Sequence, residues 1–152
     1  MSDFERRILE LQLVLPPAPK PVGAYQPVVI EGGIAFLSGQ ISKTGDGKIL
    51  SGKLGKEVSL EAGREAARIA VLNVLSMIKH LIGFNRFKRI LRIVGYVQTD
   101  PSFFQIPDVV NGASELLIQV FEEKGMHARS AVGVSSLPLN ASVEIEATIA
   151  IQ

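Results

Sequence analysis

The residues best suited to chemistry lie near the C-terminus, where an arginine and a glutamate interrupt apolar runs. Arg129 lies within residues 127–134 (HARSAVGV), and Glu144 lies within residues 143–147 (VEIEA). An ionised side chain in apolar surroundings must be paired, or it must be available for a charged ligand. Because a guanidinium is a planar fork that matches a carboxylate with two parallel hydrogen bonds, Arg129 is a candidate carboxylate ligand.

Two interpretations of this pair are open from the residues alone. The pattern predicts strands over 129–134 and 142–151, joined by a short turn, so the two side chains can lie at similar heights. One interpretation is a structural salt bridge across the strands. The other is an arginine that binds a carboxylate beside a glutamate that positions a water or relays a proton.

Two other segments of the sequence combine small residues with a hydroxyl in a way that suits ligand binding. Gly23-Ala24-Tyr25 and Ser38-Gly39-Gln40 each place a hydroxyl beside glycine at a predicted strand end. Backbone next to glycine can approach a ligand closely, although an ordinary turn gives the same pattern. These two segments support the interpretation as a binding site without establishing it.

Composition excludes several kinds of site. The chain has 152 residues, no cysteine and a net charge of +1. Without cysteine there can be no disulfide, thiolate nucleophile or zinc–sulfur site. The near-zero charge and the lack of a basic stripe argue against a nucleic-acid partner. No apolar run reaches membrane-spanning length, and residues 1–7 lack the pattern of a signal peptide, so the sequence predicts a cytoplasmic protein.

The order of predicted elements indicates an α+β fold. Strands are expected over 28–30, 34–38, 89–99, 129–134 and 142–151, with a hairpin turn at 31–33 between the first two and a surface loop over 42–56. Regular alternation along 89–99 predicts that Ile90 and Arg92 lie on the same face of that strand. Helices are expected from Ser59 to about 80 and from an Asp108 cap to about 124. This order predicts a mixed sheet with two helices on one face. The first twenty residues, a short helix and a proline-rich connector, are expected to be an appendage to a domain over 21–152.

Taken together, these segments resemble the Rid family, the reactive intermediate deaminases also called YjgF-like or L-PSP proteins. The resemblance runs from about Pro21 to the C-terminus. It is carried by GAYQP at 23–27, FLSGQI at 36–41, Asn111, and ARSAV at 128–132 followed by LP and VEIEA. It implies a chorismate-mutase-like two-layer sandwich and a homotrimer with three clefts between neighbouring subunits.

The resemblance also implies roles for individual residues. Arg129 would bind the carboxylate of a 2-imino or enamine acid, and Glu144 would hold the attacking water. Tyr25, Ser38 and Asn111 would line the cleft. The products would be a 2-keto acid and ammonia, with no metal or organic cofactor required.

This chain departs from the deaminating members at several positions. His127 stands where those members commonly have proline, Gln26-Pro27 replaces Ser-Gln, and the N-terminal helix is an addition. His127 either adds a titratable group at the cleft mouth or packs against the second long helix. Three hypotheses follow: an imine hydrolase, a non-enzymatic trimer that binds a small carboxylate, and, least favoured by the charge, a ribonuclease or translation inhibitor.

Overall fold

The chain folds into two layers, a five-stranded sheet and a pair of long helices packed on one face of it. The computed structural model describes residues 1–152. In chain order the elements are α1 (Asp3–Glu10), β1 (Val28–Glu31), β2 (Ile34–Ile41), α2 (Leu60–Met77), β3 (Phe87–Gln98), α3 (Ile106–Phe121), β4 (Ala128–Val134) and β5 (Val143–Ile151). None of the helices is long and apolar enough to cross a membrane.

The sheet is mixed, with strand order β1-β2-β5-β3-β4. Neighbouring strands are antiparallel except β3 and β4, which are parallel and joined by α3. A parallel pair requires such a crossover connection, and here the crossover places α3 beside the edge strand β4. The predicted α+β architecture with two helices on one face is confirmed.

Alternation along β5 separates the buried face of the sheet from the open one. Its odd-numbered positions are buried against the helices and its even-numbered positions are half-buried on the other face. The buried row is Val143, Ile145, Ala147, Ile149 and Ile151. Glu144 and Glu146 therefore lie on the face that carries no helix.

One predicted alternation is wrong. Ile90 and Arg92 were expected on the same face of β3, but Ile90 is fully buried opposite Ile149 while Arg92 is exposed opposite Thr148. The pairing register shifts between these two residues, so one extra residue, Leu91, reverses the alternation. The strand is thereby able to bury apolar residues on both sides of the irregularity.

The helix boundaries follow from capping and proline. The Ser59 hydroxyl accepts a hydrogen bond from the Ala62 amide and caps α2, as predicted. The other long helix starts earlier than predicted, because Gln105 is the cap and Pro107 lies in the first turn. Asp108 is consequently a first-turn residue of α3 rather than its cap.

The N-terminal segment packs into the core, so its expected role as an appendage outside the core is wrong. Ser2 and Glu5 form a capping box that starts α1. Ile8 and Leu13 are buried in the main apolar cluster. The ring of Phe4 packs against Phe121 at 5.0 Å between centroids.

The expected surface loop at 42–56 is also partly buried. Leu54 is fully buried and belongs to the main apolar cluster, while Ser42 is buried and donates to the Leu50 carbonyl at 2.8 Å. Asn73 of α2 donates to the Lys43 carbonyl at 2.8 Å, so this buried amide has a structural partner. Three of the glycines in this segment, Gly47, Gly52 and Gly55, have positive φ and therefore mark turns.

Candidate functional site

Arg129 lies on the edge strand β4 and points towards α3. In the register it is paired with Ile93, a fully buried residue on the helix-covered face. Its Nη1 donates to the Ser114 hydroxyl at 3.0 Å, and its Nη2 donates to the Pro107 carbonyl at 3.1 Å. Two acceptors from one helix thus hold the half-buried guanidinium at the sheet edge.

No carboxylate of the chain neutralises Arg129. The ion pairs of the chain involve Arg6, Arg7, Arg64 and Arg68. Both acceptors of Arg129 are formally neutral, and a guanidinium has five N–H donors, so most of its donor capacity remains available. A partly buried cation with neutral partners is suited to an external anion.

Asn111 lies between the two contacts that α3 makes with Arg129. Pro107, Asn111 and Ser114 are spaced by four and three residues, which places them on one face of a helix. Asn111 is half-buried on that face. Helical spacing therefore places Asn111 on the face of α3 that contacts Arg129, and its role in lining a cleft stays a prediction.

His127 joins the same group through Ser114. Its Nε2 lies 2.9 Å from the Ser114 hydroxyl, and its Nδ1 lies 2.6 Å from the Gly125 carbonyl. Burial lowers the pKa of His127 below its ordinary value, and the nearby positive charge of Arg129 lowers it further, whereas the Gly125 carbonyl opposes the shift. His127 therefore packs against the second long helix, one of the two placements that the sequence left open.

Glu144 belongs to a different part of the surface. It is paired with Tyr96 on one side and Ile41 on the other, and its side chain lies on the open face of the sheet. Burial raises the pKa of this carboxyl, and the charge of Glu146 raises it further. Glu146 accepts a hydrogen bond from the Tyr96 hydroxyl, which, with burial, raises the pKa of Tyr96 to about 12.

Gly39 makes room for the Glu144 side chain. A Cβ at position 39 would lie 2.9 Å from Cδ of Glu144 and 3.2 Å from its Oε1. Gly39 falls where the register between β2 and β5 shifts, so the strand has an irregularity beside the carboxylate. The Ser38-Gly39 pair that the sequence singled out therefore contacts Glu144 directly through Gly39.

Ser38 and Tyr25 lie near this second group. The Ser38 hydroxyl donates to the Gln26 carbonyl at 2.7 Å, and the Ser38 amide donates to the Pro27 carbonyl at 2.9 Å. These bonds hold the segment 23–27 against β2. Tyr25, in that segment, is 48% exposed, so its ring is presented to solvent in the single chain.

The six residues expected at the site therefore fall into two groups. Arg129 and His127 contact α3, whose same face carries Asn111, whereas Glu144 and Ser38 lie on β5 and β2. Tyr25 is connected to Ser38 through the segment 23–27. Arg129 is level with Ile93 and Glu144 with Tyr96, with the intervening strand β3 between them. Ideal strand geometry separates their backbones by about 10 Å along the strands and about 10 Å across them.

The salt-bridge interpretation is wrong, because the two side chains lie on opposite faces and no Arg129–Glu144 ion pair exists. Within one chain they do not converge on a ligand. Sequence reasoning also missed Ser114, which connects Arg129 to His127. The available signal was its spacing of three residues from Asn111 on the same helix.

The residues present suit an organic anion better than a metal. No group of three or more histidine, aspartate or glutamate side chains is placed to hold a metal ion. The functional groups available are the Arg129 guanidinium, the Asn111 amide and the Glu144 carboxylate, whose pKa is raised.

Comparison with known proteins places the chain in a family. The sequence model of the family described as "YjgF/chorismate_mutase-like, putative endoribonuclease" matches residues 5–148 of this chain. The chain belongs to the YjgF/chorismate-mutase-like family. The predicted family is therefore confirmed, and the match includes α1, which the sequence-based resemblance had left out.

Similar proteins carry different names. Protein TCP17 of Trypanosoma cruzi is 39% identical over 141 residues, covering 91% of this chain and 88% of that protein. A 2-iminobutanoate/2-iminopropanoate deaminase of Dermatophagoides farinae is 29% identical over 143 residues, covering 90% of this chain and 93% of that protein. A crystal structure from Shewanella oneidensis, described as that of "a putative endoribonuclease", superposes with a TM-score of 0.92 at 32% identity, covering 97% of this chain and 98% of that one. The family is thus shared by proteins named for imine deamination and for RNA cleavage.

Proposed function

We propose that this protein hydrolyses 2-imino acids, and their enamine tautomers, to 2-keto acids and ammonia in clefts between the subunits of a homotrimer. The observation that carries the proposal is the state of Arg129. Its guanidinium is oriented by two neutral acceptors and has no carboxylate partner in the chain. It is therefore free to bind the carboxylate that every 2-imino acid carries.

A site built from two chains follows from the separation of the two groups. Arg129 lies at the edge of the sheet on the helix side, and Glu144 lies on the open face. Only a neighbouring chain can bring a second group next to the first. The open face has apolar area for such packing, since Val29, Phe36 and Val132 are each about half exposed there. In the proposed trimer, the open face of one subunit covers the β4 edge of the next.

The proposed reaction adds water across a carbon–nitrogen double bond. The substrate enters as the iminium ion, and the Glu144 carboxylate accepts a proton from water while the water oxygen bonds to the iminium carbon and the π electrons of the double bond pass to nitrogen. The same carboxyl then gives that proton to the amino nitrogen of the carbinolamine. The carbon–nitrogen bond breaks with its electron pair on the leaving ammonia, and the hydroxyl proton passes to the Glu144 carboxylate, and from there to solvent, as the carbonyl forms. A raised pKa suits Glu144 to both roles near neutral pH.

Orientation supplies most of what this reaction needs. An imine carbon is already electrophilic, so the site must chiefly hold substrate and water in place. Arg129 and Asn111 would hold the carboxylate, and Tyr25 and Ser38 would line the cleft beside Glu144. The named deaminase relative supports this chemistry, and no metal or organic cofactor enters the proposed steps.

A carboxylate-binding trimer without turnover is the second candidate, because Arg129 alone would be sufficient for it. A ribonuclease is disfavoured by the histidines, although the family description includes that activity. The two histidines lie on different elements, His80 on the turn after α2 and His127 before β4. His127 Nε2 is already bonded to Ser114, which leaves no free imidazole pair for RNA cleavage.

The proposal is tested by adding the purified protein to 2-iminopropanoate and 2-iminobutanoate generated in place by an amino-acid oxidase, and measuring pyruvate, 2-ketobutyrate and ammonia release. We expect wild type to accelerate hydrolysis and Arg129→Ala and Glu144→Gln each to lower kcat/KM by at least 100-fold. Arg68→Ala and Glu65→Gln, an exposed pair on α2, are the matched controls and should leave the rate unchanged.

The outcomes separate the candidates. If wild type gives no acceleration with small, branched or aromatic imino acids, the hydrolase proposal is wrong. If pyruvate still binds in that case and Arg129→Ala abolishes binding, the carboxylate-binding trimer is the better assignment. Activity that survives Glu144→Gln at the wild-type level would remove Glu144 from the mechanism.

A further inference from the structure

We propose that Ser114 and His127 are positioning residues that fix the Arg129 guanidinium for carboxylate binding. The proposal rests on the role given to Arg129 above and extends it to two residues that do not need to touch the ligand. The direction of each hydrogen bond in the network Arg129–Ser114–His127–Gly125 supports it.

The Gly125 carbonyl determines which nitrogen of His127 carries the proton. A carbonyl oxygen only accepts, and it lies 2.6 Å from Nδ1, so Nδ1 must be the N–H donor. In neutral imidazole, Nε2 is then an acceptor. The only partner of Nε2 is the Ser114 hydroxyl at 2.9 Å, which must therefore donate to it.

This direction prepares Ser114 for Arg129. Once the hydroxyl proton is directed at His127, the oxygen of Ser114 presents its lone pairs to the guanidinium. Nη1 of Arg129 donates to that oxygen at 3.0 Å. Each hydrogen bond in this network thus has one defined donor. The Ser114 hydroxyl, which could otherwise rotate, is fixed as an acceptor for Arg129.

Both ends of the arrangement are anchored on α3. A Cβ at position 125 would lie 2.3 Å from the Leu117 carbonyl oxygen, so only glycine allows this close approach to the helix. The approach fixes the carbonyl that orients His127. At the other end, the Pro107 carbonyl holds Nη2 of Arg129 at 3.1 Å.

The charges around His127 maintain the neutral imidazole that this direction requires. Arg129 faces it from β4, and Arg89 from β3 lines the same small cavity while donating to the Met126 carbonyl at 2.9 Å. From α3 the contact is the uncharged Ser114, and Lys124 of the preceding turn lies over the Phe4 ring. Burial and the charge of Arg129 keep the pKa of His127 below its ordinary value.

Loss of either positioning residue should therefore weaken carboxylate binding without removing it. Arg129 would keep its charge and its Pro107 contact but lose its fixed orientation. We expect Ser114→Ala and His127→Leu to lower pyruvate affinity on the order of 5- to 10-fold, the effect of one lost hydrogen bond. In turnover, the same variants should raise KM more than they lower kcat.

The first measurement is pyruvate binding by calorimetry at pH 7.5, with melting temperature and assembly mass recorded for each variant. His127→Gln and Ser114→Thr retain an acceptor and a hydroxyl, respectively, and should bind within about 3-fold of wild type. The matched control is His80→Ala, an exposed histidine outside this network. Wild-type affinity in both Ser114→Ala and His127→Leu would overturn the proposal, as would a failure of both conservative variants to rescue.

The same measurement distinguishes this proposal from the proposed function. If Arg129→Ala binds pyruvate as well as wild type, the role given to Arg129 is wrong. If Arg129→Ala abolishes binding and the Ser114 and His127 variants do not weaken it, only the positioning role is wrong.

A second measurement needs no ligand. Nitrogen-15 NMR of the imidazole at pH 7.5 should show His127 as the neutral form protonated at Nδ1, the rarer tautomer in free histidine. Ser114→Ala should shift the Nε2 resonance of His127 and leave that of His80 in place. A proton on Nε2 of His127 at this pH would overturn the proposal whatever the binding data show.

Discussion

Arg129 and Glu144 point from opposite faces of one sheet, with the intervening strand β3 between them. This relationship excludes a salt bridge within the chain and leaves each charged group without an opposite charge. A chain that keeps two such groups apart can combine them only with a copy of itself. The distance between them is thus the physical reason why the proposed reaction and the proposed oligomer depend on each other.

Mixing two inactive variants should restore activity. If each site takes Arg129 from one subunit and Glu144 from the next, random trimers of Arg129→Ala and Glu144→Gln chains contain about a quarter of sites with both native residues. The check is to mix the two proteins, unfold and refold them together, and measure 2-keto acid release. Each variant refolded alone is the control, and no recovery from mixtures of confirmed mixed composition would mean that one chain supplies both groups.

Replacing Glu144 by glutamine should stabilise the fold while removing turnover. The folded-state pKa of Glu144 is raised above its ordinary value of 4.5, so its stabilising contribution is present below that pH and is lost as pH rises through the folded-state pKa. At pH 7.5 the glutamine variant avoids burying the charge and should melt a few degrees higher than wild type. Thermal unfolding from pH 4.5 to 8 checks this, and a lower melting temperature for the variant across that range would contradict it.

Gly39→Ala should impair turnover through Glu144. The new Cβ would lie 2.9 Å from Cδ of Glu144, which is closer than contact distance and must move the carboxylate. We expect kcat to fall at least 10-fold while pyruvate binding to Arg129 changes little. Gly45→Ala is the matched control, because its Cβ would meet nothing closer than 3.7 Å. Equal kcat in both variants would show that the space at position 39 has no role in catalysis.

Phe4→Ala should destabilise the whole fold. The Phe4 ring packs edge-on against Phe87 at 5.4 Å and Phe121 at 5.0 Å, and these contacts attach α1 to the core. Truncating a partly buried phenylalanine costs about 2–3 kcal/mol, which would lower the melting temperature by several degrees. Leu9→Ala, an exposed position on the same helix, should change it little. A variant with the melting temperature of wild type would show that the Phe4 ring contributes nothing to the stability of the core.

Local patterns in the sequence predicted most of the secondary structure. Ser59 and the turn at 32–33 mark their elements because capping and turn geometry depend on neighbouring residues alone. The long strands were identified by alternation, which is also local. The prediction failed at Ile90 and Arg92, where the register slips, because a bulge depends on what the partner strand places opposite.

Predictions that depended on distant contacts were less accurate. The segment 42–56 has the composition of a loop, and α1 followed by prolines is typical of an appendage. Leu54 and Phe4 nevertheless pack against distant parts of the chain, one fully buried and the other within an aromatic cluster. The composition of a segment gives only the average tendency of its residues to be buried. Whether a given side chain is buried depends on which distant residues pack against it.

The sequence by itself determined the family, the two-layer fold and the chemical types at the candidate site, because side-chain type and spacing are written along the chain. Only the tertiary structure decided that Arg129 and Glu144 face opposite ways and that Ser114 joins Arg129 to His127. Strand order and register set those relationships, and both arise from the packing of residues far apart in sequence. Sequence alternation showed which residues share a face wherever strand pairing is regular, but only the assembled sheet showed where the register shifts and which face the helices cover.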